Sequence, residues 1–132
     1  GMEVALEKGA SEEADHIKIA KAYASTHRVE KAVAYLDKII SQKPSATLVL
    51  EKARVLYDAR RNMEAIQVFD ECIAIDSTQY EAYMLKGFAA WDLEDWDTAR
   101  DAFEQARNSK EYGVQAKDAI AVMDDLDRAQ EE

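Results

Sequence analysis

An all-α fold of stacked helix pairs is what this sequence predicts, and three observations predict it. Ala32, Ala65 and Ala99 fall 33 and 34 residues apart, and each is followed four residues later by a bulky apolar residue, Leu36, Phe69 or Phe103. A small residue and then a large one, at a period near 34, mark helical hairpins that bury their inner faces only against their neighbours. One proline and four glycines in 132 residues leave room for long helices and short turns. No segment shows the apolar–polar alternation of a strand.

Seven helices are expected. The first runs from Ala14 to about Ser25, with Ile17, Ile19, Ala20, Tyr23 and Ala24 at helical spacing. A break at Thr26-His27-Arg28 leads into the second, Val29 to about Ser41, whose buried stripe is Val29, Ala32, Val33, Leu36, Ile39 and Ile40. Pro44 ends it, and Ser45 is placed to cap the third helix, Thr47 to about Ala59, because its hydroxyl can accept from free first-turn amides. Asn62 is read as the cap of the fourth, Met63 to Ile75, which buries Ala65, Ile66, Phe69, Cys72 and Ile73. Thr78 and Glu81 have the spacing of a capping box at the start of the fifth, which reaches about Leu93. Asp95 caps the sixth, Trp96 to about Asn108, and a seventh spans roughly Gly113 to Ala129 with Ala116, Ala119, Ile120, Met123 and Leu126 on one face.

A chain of 132 residues is one domain long, and 27 acidic against 17 basic residues give it a formal charge of −10. That field repels phosphate backbones and anionic lipid, so nucleic acid is not expected as a partner, membrane surfaces are poor ones without direct insertion, and a basic or apolar protein surface is favoured. No run approaches the length of a membrane span. The start, Met2 to Glu7, lacks the pattern of a signal peptide. Gly1 reads as the remnant of a tag, with residues 1–12 as a tail and 13–132 as the single domain. The lone Cys72 forms no internal disulfide and fits a reducing compartment, so a cytoplasmic protein is expected.

The pattern resembles the tetratricopeptide repeat (TPR), whose frame of about 34 residues carries a small residue, a tyrosine, an alanine, an aromatic and a proline at fixed places. Residues 13–45 supply Ile19-Ala20, Tyr23, Ala32, Leu36 and Pro44. Residues 46–79 supply Ala53, Leu56, Ala65, Phe69, Cys72 and Ser77, and residues 80–113 supply Tyr83, Gly87, Trp96, Ala99, Phe103 and Ala106. Residues 114–130 then form a capping helix. Lys52 and Lys86 stand where the family has leucine, His16 where it has an aromatic, and Ser77 and Glu111 where it has proline. The resemblance implies a right-handed α-solenoid of antiparallel pairs with a concave groove lined by the first helix of each pair.

Carried onto this chain, the groove consists of Ile17, Lys21 and Ala24, then Leu50, Arg54, Tyr57 and Asp58, then Glu81, Met84, Phe88, Trp91 and Asp92, with Val122 and Asp125 from the closing helix. Leu50, Tyr57, Met84, Phe88 and Trp91 are expected to form an apolar strip, with Lys21 and Arg54 steering an acidic flank. The resemblance therefore implies a protein-interaction module, an adaptor or scaffold that holds an apolar peptide or amphipathic helix. Cochaperones of the family grip a C-terminal carboxylate; the corresponding places here hold Ile17, Lys21, Glu51, Glu81 and Leu85, and the two glutamates repel such a ligand. Other expectations are self-assembly as a homodimer through Val4, Leu6 and Ile17, a small acidic chaperone for a secreted or membrane-bound client, and a regulatory fusion to an enzyme.

No catalytic or metal site is expected, and no cofactor is implied. His16 and His27 lack ligand spacing and read as a packed helix residue and an exposed turn residue. Cys72 reads as an inert core thiol. The acidic groups Asp124-Asp125-Asp127 and Asp92-Glu94-Asp95-Asp97 read as solvated helix faces. The sequence contains no phosphate-binding glycine loop and no nucleophile motif.

Overall fold

A computed structural model describes the backbone of residues 2–131 and the side-chain surroundings of residues 12–131. Seven helices account for nearly all of it: α1 (Met2–Ser25), α2 (Val29–Gln42), α3 (Ala46–Asp58), α4 (Asn62–Ile75), α5 (Tyr80–Asp92), α6 (Trp96–Ala106) and α7 (Gly113–Glu131). The stretch expected as a tail is helical: α1 begins at Met2, not Ala14, and runs unbroken to Ser25. Alanine, leucine, glutamate and lysine, all strong helix formers, dominate that stretch, and only Gly9 opposes them. The side chains of Val4 and Leu6 lie outside the described residues.

The helices pair as α1–α2, α3–α4 and α5–α6, with α7 closing against α6. Contacts also join α1 to α3 and α3 to α5, so the first helices of the pairs lie side by side in a row. Three core clusters follow the repeat. Ala20, Ala32 and Leu36 anchor the first, Ala53, Ala65 and Phe69 the second, and Ala99, Phe103 and Ala106 the third. Phe69, Phe103 and Leu36 are among the largest fully buried side chains, as the period of small and large residues predicts. In α7, Ala116, Ile120 and Met123 complete the third cluster, so the last helix seals the end of the array. Gly113 lets it start close to α6, since a Cβ there would stand 2.7 Å from the Arg107 carbonyl oxygen.

Two of the expected caps form. The Ser45 hydroxyl accepts from the Leu48 amide at 3.4 Å, and Asp95 accepts from the Thr98 amide at 3.3 Å. The other two do not. Arg61 occupies the cap position of α4 without a side-chain bond, and Asn62 is already helical. Before α5, Asp76 takes both the Thr78 hydroxyl, at 2.6 Å, and the Thr78 amide, at 3.0 Å, which removes Thr78 from a capping box with Glu81. Glu81 instead pairs with Arg54 at 3.0 Å. A nearer carboxylate has outcompeted the reciprocal cap.

The turn inside each helix pair has one geometry. His27, Arg60 and Glu94 adopt φ values of 61°, 63° and 58°. In each turn the following amide donates to the carbonyl five residues back: Arg28 to Tyr23 at 2.8 Å, Arg61 to Leu56 at 2.9 Å and Asp95 to Ala90 at 2.9 Å. These are Schellman closures made without glycine. They recur with the repeat and set the angle at which each second helix folds back.

Lys52 and Lys86 keep the leucine-like positions of their helices by reaching across to the preceding pair. Lys52 Nζ lies 2.7 Å from Asp37, and Lys86 Nζ lies 2.6 Å from Asp70. Their side chains are only 20% and 16% exposed, so the stems serve as packing and the ammonium groups find repeat-related aspartates.

Candidate functional site

The row α1–α3–α5 carries two adjoining clefts. The first, of about 300 Å³, lies between α1 and α3 and is lined by Lys21, Ala24, Ser25, Glu51, Arg54, Val55 and Asp58. The second, of about 210 Å³, is bounded by Tyr57, Asp58, Arg60, Asn62 and Asp92. Asp58 belongs to both, and the Arg54–Glu81 pair joins α3 to α5 beside them. Six of the expected groove residues, Lys21, Ala24, Arg54, Tyr57, Asp58 and Asp92, are thus brought together along this row.

The remaining expected residues are placed differently. Leu50 is 6% exposed and Met84 is 3% exposed, and each sits in a core cluster rather than on an open strip. Both positions therefore fall on faces of α3 and α5 that pack into the core. Ile17 packs against the first cluster. Trp91 is half-buried, edge-on to Trp96 at 5.3 Å and to Phe103 at 6.4 Å, so the α6 side of its own pair covers it. Phe88 remains exposed, its ring edge-on to Phe103 at 5.2 Å. Tyr57 lies edge-on to Phe69 at 6.5 Å, and burial, with Asp92 and Asp58 nearby, raises its phenol above the ordinary range. The row is therefore mostly charged, with Phe88 and Tyr57 as its accessible aromatics. Val122 on α7 is exposed but lines neither cleft.

Glu51 is the residue that the groove reading left out of its contact set. It is the one charged residue buried among those described, at 5% exposure. Burial raises its carboxyl above the usual glutamate range; Lys21 and Arg54 oppose that shift, and Asp58 and Glu81 reinforce it. A single acid on the inner side of a helix has no sequence signal separating it from a solvated one.

The side chains that invite an enzymatic reading are occupied structurally. His16 Nδ1 lies 2.6 Å from the Tyr35 hydroxyl, and His27 is an exposed turn residue. Cys72 is buried, donates to the Ala46 carbonyl at 3.3 Å, and is pushed up to about 11 by burial, which removes its nucleophilic form. Asp124 and Asp127 both pair with Arg100, at 2.7 and 3.4 Å, and Asp125 pairs with Arg128. Among the described residues no group of three or more His, Cys, Asp or Glu is placed to hold a metal. Among the described residues no helix is long and apolar enough to cross a membrane.

Helix pairs stacked in register behind a row of open clefts define an α-helical repeat domain. The tetratricopeptide repeat family model matches residues 17–80 and again residues 50–113, offset by one repeat. The chain belongs to the tetratricopeptide repeat family. No curated protein matches it by sequence.

Solved structures share the fold. The first TPR of Spaghetti (RPAP3), bound to the HSP90 peptide SRMEEVD, aligns with a TM-score of 0.73 at 14% identity, covering 86% of this chain and 90% of that one. The type III secretion translocator chaperone SycD of Yersinia enterocolitica, in an alternative dimer, gives 0.73 at 10% identity, covering 90% and 94%. MamA gives 0.66 at 20% identity over 76% of this chain, which spans only 60% of that structure.

Proposed function

We propose that this protein is an adaptor that holds a partner's peptide segment or amphipathic helix along the row α1–α3–α5, using Lys21, Arg54, Tyr57, Phe88 and Asp92. The observation that carries this reading is the continuity of the two clefts through Asp58, with Tyr57 lining one of them. Charged groups flanking an accessible aromatic give register and steering from the former and desolvated contact area from the latter. The fold shared with the peptide-bound TPR of Spaghetti supports a segment as the occupant. A grip on a terminal carboxylate is disfavoured here, because Glu51 and Glu81 face the row.

The test is partner capture by the immobilised chain, with identification by mass spectrometry. A Tyr57→Ala, Phe88→Asp variant that keeps its helical circular dichroism should lose the partner. A Lys38→Glu control on α2, away from the row, should retain it. Equal capture by both variants overturns the assignment of the row.

A further inference from the structure

The cleft between α1 and α3 has a carboxylate at its base without a counter-ion of its own. Glu51 is 5% exposed, yet it takes no hydrogen bond or ion pair from any described residue. No buried side-chain oxygen or nitrogen among the described residues is sealed off without a partner, so the Glu51 oxygens open onto the cleft. The neighbouring cations do not satisfy it. Arg54 is held by Glu81 at 3.0 Å, and Lys21 stands exposed at the cleft wall beyond ion-pair distance. With Asp58 also lining the space, carboxylates outnumber cations around it: Glu51, Asp58 and Glu81 against Lys21 and Arg54.

We propose that this cleft is a receptor for a basic side chain, an arginine supplied by the partner's segment, which docks its guanidinium on Glu51. The proposal rests on reading the row as the partner-binding face and names the chemistry one of its clefts selects. A desolvated carboxylate is costly unless paired and hydrogen-bonded, and an incoming guanidinium supplies charge and two parallel N–H donors at once. A volume of about 300 Å³ admits one long side chain but not a folded element. The chain's charge of −10 draws a basic segment toward it. An acidic or carboxylate-terminated segment would meet Glu51 and Asp58 and be repelled.

The experiment is an NMR titration of the isotope-labelled chain with a blocked pentapeptide, acetyl-Ala-Ala-Arg-Ala-Ala-amide, and with its citrulline counterpart, which keeps the shape and loses the charge. Saturable shifts at Ser25, Glu51 and Asp58 are expected with the arginine peptide. Binding of the citrulline peptide should be about tenfold weaker or more. Glu51→Gln should abolish the difference between the two peptides, and Asp58→Asn, at the cleft edge, should reduce it in part. Equal binding of both peptides by the wild type, unchanged selectivity in Glu51→Gln, or shifts located away from the cleft would each overturn the proposal. Silent cleft resonances alongside partner capture that still depends on Tyr57 and Phe88 would sink this inference alone. Selective arginine binding without such dependence would sink the adaptor reading and leave the arginine site standing.

Discussion

Gly87 lies directly against the ring of Phe103: a Cβ built on the glycine would stand 2.5 Å from Phe103 Cε1 and 2.7 Å from Cζ. The ring is fully buried and cannot withdraw. Gly87→Ala is therefore destabilising, by about 1–3 kcal/mol, although alanine is the better helix former. Urea unfolding should show the loss, and adding Phe103→Leu should make the alanine less costly in a double-mutant cycle.

The three left-handed turns are held without glycine, at a conformational cost for each L-residue. Arg60→Gly relieves the strain at φ 63° and keeps the Arg61-to-Leu56 closure, while raising the entropy of the unfolded chain. The net expectation is a gain of about 0.5 kcal/mol, read as a higher urea midpoint at unchanged slope. Glu94→Gly should behave alike.

Lys86 and Asp70 act as a pair across two repeats. Asp70→Ala leaves a largely covered ammonium without its carboxylate and should cost about 1 kcal/mol. Lys86→Leu places in that position the residue the family uses, and should make the same Asp70→Ala substitution nearly neutral. A thermal-shift series of the two single variants and the double variant measures the coupling.

Burial raises Glu51 above its ordinary range, so the folded state holds that proton more tightly than the unfolded chain does. The resulting stabilisation is complete below the unfolded value and is lost as pH rises through the folded one. Glu51→Gln, which resembles the protonated acid, should therefore be more stable than the wild type at about pH 7. The gap should close on acidification toward about pH 4, where glutamate ordinarily titrates. A gap that widens in acid contradicts this account.

Most of the fold was legible because it is written in a repeat. Ala32, Ala65 and Ala99, with Leu36, Phe69 and Phe103 after them, located the pairs and their seams, and Ser45 and Asp95 marked two helix starts. The caps at Asn62 and Thr78 were misread because a short polar side chain chooses among several local partners, and Asp76 was the nearer one for Thr78. The site was less legible. A helix position near the boundary between its inner and outer faces can fall on either side, and packing against neighbouring helices buries Leu50 and Met84 while Phe88 stays out. Glu51 was read as a groove carboxylate, but its burial was hidden for the same reason: it is a property of the neighbouring helices, not of its own.

The three core clusters meet only at a few shared side chains, Val33 and Ile40 at one seam and Ile73 at the other. The clusters also reach past their own pairs: Leu48 and Val55 of α3 complete the first, and Ala82 of α5 joins the second. Each pair therefore finishes its neighbour's core, so deleting one pair would leave the apolar face of the next open to solvent.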